Sequence, residues 1–349
     1  MENNSVCWRS PSNIALVKYW GKLPDQIPMN ASLSLTLSKS YTETKITWKA
    51  LKGNTFLSKH QFIFEGQSKP DFEKKVFSFL DSLEEQFTWL KNISLTIESS
   101  NTFPHSSGIA SSASAMSALA LCLMDIHQQM NGNNLSSCEF HEQASIISRK
   151  GSGSASRSVY PFSSIWGKVN GITNSSNEYA IDWSREIHDD FKSMQDWIFI
   201  VNKNVKSVSS SAGHSLMENH PYREHRITQA EKNIQELIQA MQNNDCEKFI
   251  QIVEEEALSL HGLMMSSRPG YILLAPESLI LINKIREFRM ESKEVVTFSI
   301  DAGPNIHLLF LKKSEHKVRS WIQSEFPQYL NSGNIIYDHV GSGPEKILE

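Results

Sequence analysis

Apolar residues recur with two different periods along this chain, and the two periods follow one another in no regular order. Residues 33–37 and 93–97 alternate apolar and polar side chains, which predicts half-buried strands. Residues 72–87 and 112–130 instead place apolar side chains at helical spacing, and a β-rich run follows much later at 295–300. Because strands and helices do not alternate as regular β–α–β units, the pattern favours an α+β fold over a doubly wound parallel sheet.

The length of the chain predicts more than one domain. A single hydrophobic core rarely serves 349 residues, so two domains are expected. Hydrophobic residues make up 40% of the chain and charged residues 21%, which is ordinary globular composition and excludes wholesale disorder. The polar, acidic region at 174–190 separates two groups of apolar patterns. We therefore expect an N-terminal domain at 1–187 and a C-terminal domain at 188–349.

Charge and cysteine usage exclude several classes of function. The formal net charge of -4 provides no general basic surface for nucleic acid, so any anion site has to be local. No apolar stretch approaches the roughly 20 residues that span a bilayer, and the first residues do not resemble a signal peptide. The four cysteines are scattered without a Cys-x-x-Cys pair, which argues against a zinc site or a disulfide framework. We expect a cytoplasmic protein that binds no nucleic acid and no membrane.

A serine-rich segment at 104–113 (PHSSGIASSA) follows a predicted strand and opens a predicted helix. Gly108 allows the backbone to approach a ligand closely, and small side chains leave successive N–H groups accessible. Together with the partial positive charge of a helix N-terminus, these features make the segment a candidate cradle for nucleotide phosphates. It is not a Walker A loop, because no Gly-Lys-Ser/Thr ends it. The alternative interpretation is a serine-rich cap on an ordinary helix.

Two further segments place cations among small residues. Residues 149–158 (RKGSGSASRS) contain Arg157, whose guanidinium can hold a carboxylate or a phosphate by two parallel hydrogen bonds. Residues 13–22 (NIALVKYWGK) carry Lys18 and Lys22 four positions apart, so that either can face an anion. The alternatives are a flexible, solvated loop for the first segment and two surface lysines near a turn for the second.

Asp301 ends a hydrophobic strand pattern and precedes a Gly-Pro turn (DAGPN). An Asp at such a position often serves only an Asx turn. Facing the cationic segments, the same carboxylate would polarise or deprotonate a substrate hydroxyl. His105, His214 and His261 have no partner that the sequence reveals, and we interpret them as structural or solvated rather than catalytic.

Taken together, these segments resemble the diphosphomevalonate decarboxylase family of the GHMP kinase superfamily. The matching stretches follow the family's order and cover nearly the whole chain. They are residues 13–22 (NIALVKYWGK), 28–37 (PMNASLSLTL), 101–113 (NTFPHSSGIASSA), 149–158 (RKGSGSASRS), 208–213 (VSSSAG), 301–305 (DAGPN) and 340–344 (VGSGP). The runs KYWGK and GSGSASRS are the most specific, because they separate this family from mevalonate, homoserine and galactose kinases.

The resemblance implies a fold, an activity and cofactors. The fold is the two-domain GHMP kinase fold, with an N-terminal domain like domain 2 of ribosomal protein S5, a ferredoxin-like C-terminal domain and an active site in the cleft between them. The implied activity uses ATP to convert a small-molecule substrate, mevalonate 5-diphosphate, to isopentenyl diphosphate with release of CO2, ADP and phosphate. ATP and Mg2+ are the implied cofactors, and a homodimer is common in the family.

The resemblance also assigns roles to single residues. Asp301 matches the catalytic aspartate at the substrate 3-hydroxyl, Arg157 the arginine that orients the leaving carboxylate, and Lys18 the lysine near both groups. The matches to substrate-binding positions are Tyr19, Lys22, Ser152, Ser154, Ser209 and Ser210. The matches to the ATP phosphate loop are Pro104, Ser106, Ser107, Gly108, Ala110, Ser111 and Ser112. No direct protein ligand to the metal is assigned.

Three positions depart from the usual pattern of the family, and alternative functions stay open. His105 replaces a small residue in the phosphate loop, Ser211 stands where some relatives have Thr or Arg, and His214 stands where many have Met. One alternative is an enzyme that acts on mevalonate 5-phosphate or stops at a 3-phosphorylated product. Another is a superfamily member without catalytic activity. The presence of Asp301, Lys18 and Arg157 disfavours a kinase that stops, and Lys22, Ser152 and Ser154 favour the diphosphate substrate. A noncatalytic protein is disfavoured because Asp301 and the glycine of the phosphate segment are both present.

Overall fold

The computed structural model describes residues 4–51, 60–104, 109–132, 134–202 and 208–347, which form two mainly antiparallel sheets with helices packed on them. Within this part of the chain the first sheet has seven strands in the order β11-β1-β2-β4-β3, with β5 beside β2 and β6 beside β5. These strands are β1 (Ser5–Val17), β2 (Ser32–Ala50), β3 (His60–Phe64), β4 (Ile93–Asn101), β5 (Ser163–Trp166), β6 (Ala180–Asp182) and β11 (Glu345–Ile347). Only β3 and β4 pair in parallel among the described strands.

Three helices pack on the first sheet and share one hydrophobic core with it. They are α1 (Pro70–Asp81), α2 (Ser111–Asn131) and α3 (Ser137–Gly151). The long helix α2 lies against β1 and β2, and its start lies near the C-terminal part of β1, where Ser12 Oγ donates to the main-chain oxygen of Ile109 at 2.6 Å. This arrangement brings the predicted phosphate segment close to the segment that contains Lys18.

The predicted helix at 72–87 is shorter in the structure, so that this prediction was wrong beyond Asp81. Helix α1 ends there, and the Ser82 hydroxyl donates to the main-chain oxygen of Phe79 at 2.6 Å. Such a side-chain bond competes with continuation of the helix. Leu83 and Phe87 are still buried, but in the turns that follow. The helical spacing of these two residues therefore correctly indicated that they are buried, but it did not indicate where the helix ends.

The second sheet has four described strands in the order β10-β7-β9-β8, all antiparallel. These strands are β7 (Gln195–Phe199), β8 (Val296–Ser299), β9 (Ile306–Phe310) and β10 (Ile335–His339). The accompanying helices are α4 (Asp189–Lys192), α5 (Ser210–Ser215), α6 (Arg223–Asn243), α7 (Cys246–Ser266), α8 (Pro276–Ser292), α9 (Glu315–Glu325) and α10 (Pro327–Asn331). Helices α8 and α9 share a core with one face of this sheet, while α6 and α7 pack between its other face and strands β1 and β2.

The two sheets are joined by more than the connecting chain. Strand β11 of the C-terminal half pairs with β1, so the last strand belongs to the first sheet. On β10, the buried Asp338 carboxylate accepts hydrogen bonds from the main-chain N–H groups of Ser38, Lys39 and Ser40 at 2.7–3.0 Å. The domain boundary predicted between residues 187 and 188 falls in the connection from β6 to α4 and stays a prediction. Among the described residues no helix has the length and apolarity that crossing a membrane requires.

Candidate active site

A cleft of about 940 Å³ brings together segments that lie far apart in the sequence. The predicted site residues on its walls are Lys18, Tyr19, Lys22, Ala110, Ser112, Ser152, Ser154, Arg157, Ser210 and Asp301. The predicted residues that do not line it are Pro104, Ser111 and Ser209. Ser106, Ser107 and Gly108 lie outside the described residues, as does His105.

A partly buried ion pair joins the two halves of the molecule inside this cleft. Lys18 directly follows β1, and its Nζ donates to Asp301 Oδ1 at 2.9 Å and to Ser299 Oγ at 2.7 Å. The Lys18 side chain is 2% exposed, whereas the Asp301 side chain is 23% exposed and remains open to the cleft. A buried ammonium is costly unless it is paired, and these two partners compensate that cost.

Arg157 is held rigidly by neutral oxygens. Its Nη1 donates to Ser32 Oγ at 2.7 Å, its Nε to Ser34 Oγ at 3.1 Å, and its Nε and Nη2 to Asn13 Oδ1 at 3.3 and 3.2 Å. Burial lowers the pKa of Arg157 to about 10, although the nearby Asp301 carboxylate acts in the opposite direction. The guanidinium therefore stays charged at neutral pH, and no direct ion pair within the described residues offsets its charge. Such a cation suits a substrate carboxylate.

Tyr19 presents a buried hydroxyl without a hydrogen-bond partner among the described residues. Its ring packs edge-on against Trp166, with 4.7 Å between ring centroids. Burial raises the pKa of Tyr19, so the hydroxyl is a neutral donor. An unsatisfied buried polar group at a cleft wall indicates a place where a ligand completes the hydrogen bonding.

His214 lies between the rings of Tyr19 and Trp20, at centroid distances of 4.4 and 4.6 Å. Its Nδ1 accepts a hydrogen bond from the Gly21 N–H at 3.0 Å, which places the ring proton on Nε2. Burial, assisted by the charge of Lys22, lowers the pKa of His214 to about 3. A neutral His214 therefore lines the cleft, and its interpretation as a structural rather than a catalytic residue stays a prediction.

Three serine hydroxyls lie close together where the cationic loop (residues 149–158) meets the start of α2. Ser152 Oγ lies 3.2 Å from Ser112 Oγ and 3.4 Å from Ser154 Oγ. Ser112 belongs to the first turn of α2, whereas the other two belong to the segment after α3. The structure therefore brings together two of the segments that the sequence singled out separately.

Helix α5 contributes a further hydroxyl from the opposite wall. Ser210 begins this helix and lines the cleft. Ser209 caps the same helix, since its Oγ accepts a hydrogen bond from the Ala212 N–H at 3.2 Å. Ser209 thus supports the position of α5 without itself reaching the cleft.

The N-terminus of α2 opens onto the cleft and onto a smaller apolar pocket. Ala110 precedes the helix in a left-handed conformation, with φ of 41°, and has no side-chain acceptor with which to cap the first N–H groups. The smaller pocket, of about 130 Å³, is reached past Ser111 and Ser112. Its other walls are mainly apolar and include Phe62, Phe64, Phe72, Val76, Met116 and Leu119. Uncapped N–H groups beside an apolar slot suit phosphates linked to a flat, apolar group.

Comparison with known proteins agrees with this geometry. Residues 10–177 match the model of the diphosphomevalonate decarboxylase-like N-terminal domain, and residues 197–347 match that of the mevalonate 5-diphosphate decarboxylase C-terminal domain. The crystal structure of mevalonate diphosphate decarboxylase from Staphylococcus aureus is 31% identical, covers 99% of this chain and 98% of its own, and superposes with a TM-score of 0.83. The chain belongs to the diphosphomevalonate decarboxylase family. The family resemblance and the two-domain GHMP kinase fold that it implied are thereby confirmed.

Other diphosphomevalonate decarboxylases show the same likeness. The Ganoderma lucidum enzyme is 27% identical over 339 residues, which span 92% of this chain and 82% of that protein. A structure of MDDEF in complex with MVAPP, AMPPCP and magnesium is 29% identical, covers 99% of both chains and has a TM-score of 0.81.

The described residues fit Mg2+ only as an ion shared with phosphates. No group of three or more His, Cys, Asp or Glu side chains that could hold a metal occurs among them. The cleft instead offers single oxygen donors, such as the Ser112 hydroxyl and the Asp301 carboxylate. Mg2+ commonly binds through one or two protein oxygens, several waters and substrate phosphates, so this donor set is compatible with it.

Two residues beside the Lys18–Asp301 pair, Arg226 and Glu256, were missed in the sequence, and a third, His261, was singled out only as structural or solvated. His261 Nε2 donates to the main-chain oxygen of Asp301 at 3.1 Å. Glu256 and Arg226 bond to the main chain of Lys18 at 2.8 and 2.9 Å. One signal was available for Glu256, because it lies on the buried apolar stripe of α7, which is formed by Phe249, Val253, Leu260 and Leu263. An acidic residue on the apolar stripe of a helix is unusual unless it is paired.

Proposed function

We propose that this chain converts mevalonate 5-diphosphate and ATP to isopentenyl diphosphate, CO2, ADP and phosphate. The observation that carries the proposal is the Lys18–Asp301 pair, which stands in the same cleft as the charged Arg157 and the N-terminus of α2. A general base, a carboxylate-binding cation and a phosphate-binding element thus face one space. Membership of the diphosphomevalonate decarboxylase family supports the choice of substrate.

The chemistry requires all three elements. A β-hydroxy acid does not lose CO2 readily, because hydroxide is a poor leaving group. Transfer of the γ-phosphoryl group to the 3-oxygen forms a new oxygen–phosphorus bond as the bond to ADP breaks, and the 3-oxygen then leaves as phosphate. The electrons of the bond to the carboxylate form the alkene as CO2 departs. Stabilisation of charge at both stages falls to cations fixed in the cleft.

We assign the proton transfer and the positioning of the carboxylate to three residues. Asp301 accepts the proton of the 3-hydroxyl as the oxygen attacks phosphorus. Lys18 holds Asp301 Oδ1 and keeps positive charge beside the reacting oxygen. Arg157, fixed by its bonds to neutral oxygens, turns its free edge to the substrate carboxylate and holds it in the plane from which CO2 leaves.

The substrate diphosphate is assigned to the adjoining wall. Tyr19 and Lys22 follow Lys18 along the chain, and Ser152 and Ser154 face them from the cationic loop. The unpartnered Tyr19 hydroxyl and the Lys22 ammonium are suitable donors for phosphate oxygens. Ser210 approaches from α5, and Ser209 acts by capping that helix.

ATP is assigned to the N-terminus of α2. Its phosphates lie against the main chain at Ala110 and Ser111 and against Ser112, and its base occupies the small apolar pocket. Pro104, Ser106, Ser107 and Gly108 remain predicted members of this phosphate loop. When bound with ATP, Mg2+ offsets negative charge on the phosphates.

Three further points stay proposals. The two predicted domains divide at residues 187 and 188. A cytoplasmic location agrees with the free thiols of all four cysteines, since secreted proteins commonly pair theirs. A homodimer is expected because it is common in the family.

A paired assay tests the proposed function. Mevalonate 5-diphosphate and mevalonate 5-phosphate are offered separately with Mg-ATP, and ADP and CO2 are measured in the same samples. We expect equal amounts of ADP and CO2 from the diphosphate, and little of either from the monophosphate. Release of ADP without CO2 would identify a kinase that stops at the 3-phosphorylated product, and turnover of the monophosphate alone would reassign the substrate.

A further inference from the structure

Both the main chain and the side chain of Lys18 are fixed by hydrogen bonds. The ladder between β1 and β2 ends where Val17 pairs with Leu33, so Lys18 lies just beyond it. Its N–H donates to Glu256 Oε2 at 2.8 Å. Its carbonyl oxygen accepts from Arg226 Nη2 and from Asn30 Nδ2, each at 2.9 Å. Both main-chain groups of Lys18 are therefore satisfied by side chains and not by a neighbouring strand.

The two charged partners form one buried unit. Arg226 Nη1 donates to Glu256 Oε1 at 2.7 Å and Arg226 Nη2 to Glu256 Oε2 at 2.6 Å, a two-point pairing. The side chains are 1% and 0% exposed. Asn233 Nδ2 adds a bond to Glu256 Oε1 at 2.8 Å. Burial alone would raise the pKa of Glu256, but Arg226 and these hydrogen bonds bring it below its ordinary value.

Stability alone does not account for this pair. A buried ion pair contributes little net stability compared with apolar residues of the same volume. The neighbouring Glu254 provides a comparison on the same helix, since it is also buried and bonds to Arg286 and Arg289 of α8. Neither of those arginines touches the cleft, whereas the bonds of Glu256 converge on the main chain of Lys18.

The fixed main chain of Lys18 determines where its Nζ lies in the cleft. With its main chain fixed from α6 and α7, Lys18 extends its side chain so that Nζ reaches Ser299 Oγ and Asp301 Oδ1 together. Loosening the main chain would move Nζ relative to the base that it holds. A misplacement of about 1 Å can cost roughly 100-fold in rate.

We propose that Arg226 and Glu256 are positioning residues of the reaction, which set the place of Lys18 in the cleft and through it the place of Asp301. Neither touches the substrate. The inference rests on the proposed function, because it assigns to this pair an effect on the same proton transfer. A structural role alone would lower stability and leave the turnover of folded molecules unchanged.

The test compares variants of two glutamates on one helix. Glu256→Ala and the isosteric Glu256→Gln are measured beside Glu254→Gln as matched control, with kcat and KM for mevalonate 5-diphosphate normalised to the folded fraction. For Glu256→Ala we expect kcat to fall about 100-fold with KM within about 3-fold of the wild type. Glu256→Gln should recover part of kcat, because its amide oxygen can still accept the Lys18 N–H. Glu254→Gln should lower Tm and keep kcat within about 2-fold.

Two outcomes overturn the inference while leaving the proposed function intact. One is a folded Glu256→Ala with the kcat of an active wild type, and the other is an equal loss of kcat in both Gln variants. If neither Glu256 variant folds, Asn30→Ala replaces them, because it removes one bond to the Lys18 carbonyl oxygen and leaves the ion pair. A fall in kcat of about 10-fold is then expected, and an unchanged kcat contradicts the inference. A wild type that releases no CO2 would instead refute the proposed function.

Discussion

At the scale of single residues, Arg157 illustrates how this chain keeps a charge available inside its core. Burial lowers its pKa, yet at about 10 the guanidinium is still protonated at neutral pH. Its hydrogen bonds go to Ser32, Ser34 and Asn13, which orient the side chain without neutralising it. A rigid, unneutralised cation next to a cleft attracts an anionic group of defined geometry.

Arg157→Lys should therefore lose activity despite keeping the charge. Lysine cannot make the four hydrogen bonds that orient the guanidinium, nor hold a carboxylate at two points, so we expect kcat/KM to fall about 100-fold or more. Steady-state kinetics with mevalonate 5-diphosphate check this result. Arg149→Lys is the matched control, because Arg149 is as buried but bonds to Glu178 and lies off the cleft. Equal kinetic losses in the two variants would contradict the assignment.

His214 gives a prediction about pH and stability. Its pKa of about 3 in the folded protein lies below the value of about 6.5 for an unperturbed histidine. Between these values the unfolded chain binds a proton at His214 and the folded chain does not. The contribution to the free energy of unfolding is thus complete above pH 6.5 and is lost as the pH falls, by at most about 1.4 kcal/mol per pH unit.

Urea unfolding at several pH values between 7.5 and 4 tests this prediction in the wild type and in His214→Gln. As the pH falls, the free energy of unfolding of the variant should decrease less steeply than that of the wild type. The difference between the two slopes corresponds to the uptake of at most one proton on unfolding. Its amide oxygen can still accept the Gly21 N–H, which limits other effects. Parallel curves for the two proteins would show that His214 does not titrate as proposed.

At the scale of elements, the loop from α3 to β5 packs closely against Trp166 and Tyr19 because Gly153 has no side chain. A Cβ on Gly153 would lie 2.7 Å from Trp166 Cη2 and 2.9 Å from the Tyr19 hydroxyl oxygen. Trp166 is fully buried and cannot move aside. The close approach that glycine allows therefore sets the distance between the cationic loop and the Tyr19 ring.

Gly153→Ala should push these groups apart. We expect Tm to fall and KM for mevalonate 5-diphosphate to rise about 10-fold, because overpacking here displaces Tyr19 and the serines of the loop. Gly262→Ala is the control, since a Cβ at this position of α7 meets nothing within 4 Å. It should leave KM unchanged and raise the free energy of unfolding by about 0.5–1 kcal/mol. A wild-type KM in Gly153→Ala would argue against a substrate role for the loop.

The contrast between predicted and missed elements has a physical reason. Lys18, Arg157 and Asp301 are recognisable because each ends a strand or lies in a small-residue segment, and these are local signals. Glu256 and His261 reach the same site from α7, and nothing local links that helix to β1. Glu256 also ends a run of three glutamates, which is typical of a solvated helix face. Only the tertiary structure shows that two members of this run, Glu254 and Glu256, are buried, and that Glu256 bonds to Lys18.

At the scale of the whole molecule, contacts outside the cleft tie the two sheets together. The Asp338 carboxylate on β10 accepts three main-chain N–H groups of β2 and is 1% exposed. Strand β11 returns to pair with β1. The sequence predicted two domains and a cleft through the family resemblance, but not these connections, since a main-chain acceptor such as Asp338 has no sequence motif.

Asp338→Ala should lower the thermal stability of the protein and leave its catalytic rate unchanged. Three main-chain N–H groups would lose a charged, buried acceptor, and we expect Tm to fall by about 5 °C or more. Below the transition, kcat should stay near that of the wild type, because Asp338 lies off the cleft. Thermal unfolding and steady-state kinetics check both points, with the exposed Asp189→Ala as control. An unchanged Tm would contradict the role of Asp338 in joining the sheets.

The proposed function depends above all on Asp301, which, held by Lys18, performs the proton transfer that starts the reaction. The most direct measurement is turnover of mevalonate 5-diphosphate by Asp301→Asn, with ADP and CO2 recorded together and folding verified by circular dichroism. We predict that kcat falls about 1,000-fold or more for both products while KM changes little, because the lost interaction belongs mainly to the transition state. A folded Asp301→Asn protein that releases ADP and CO2 at the rate of the wild type would contradict the claim.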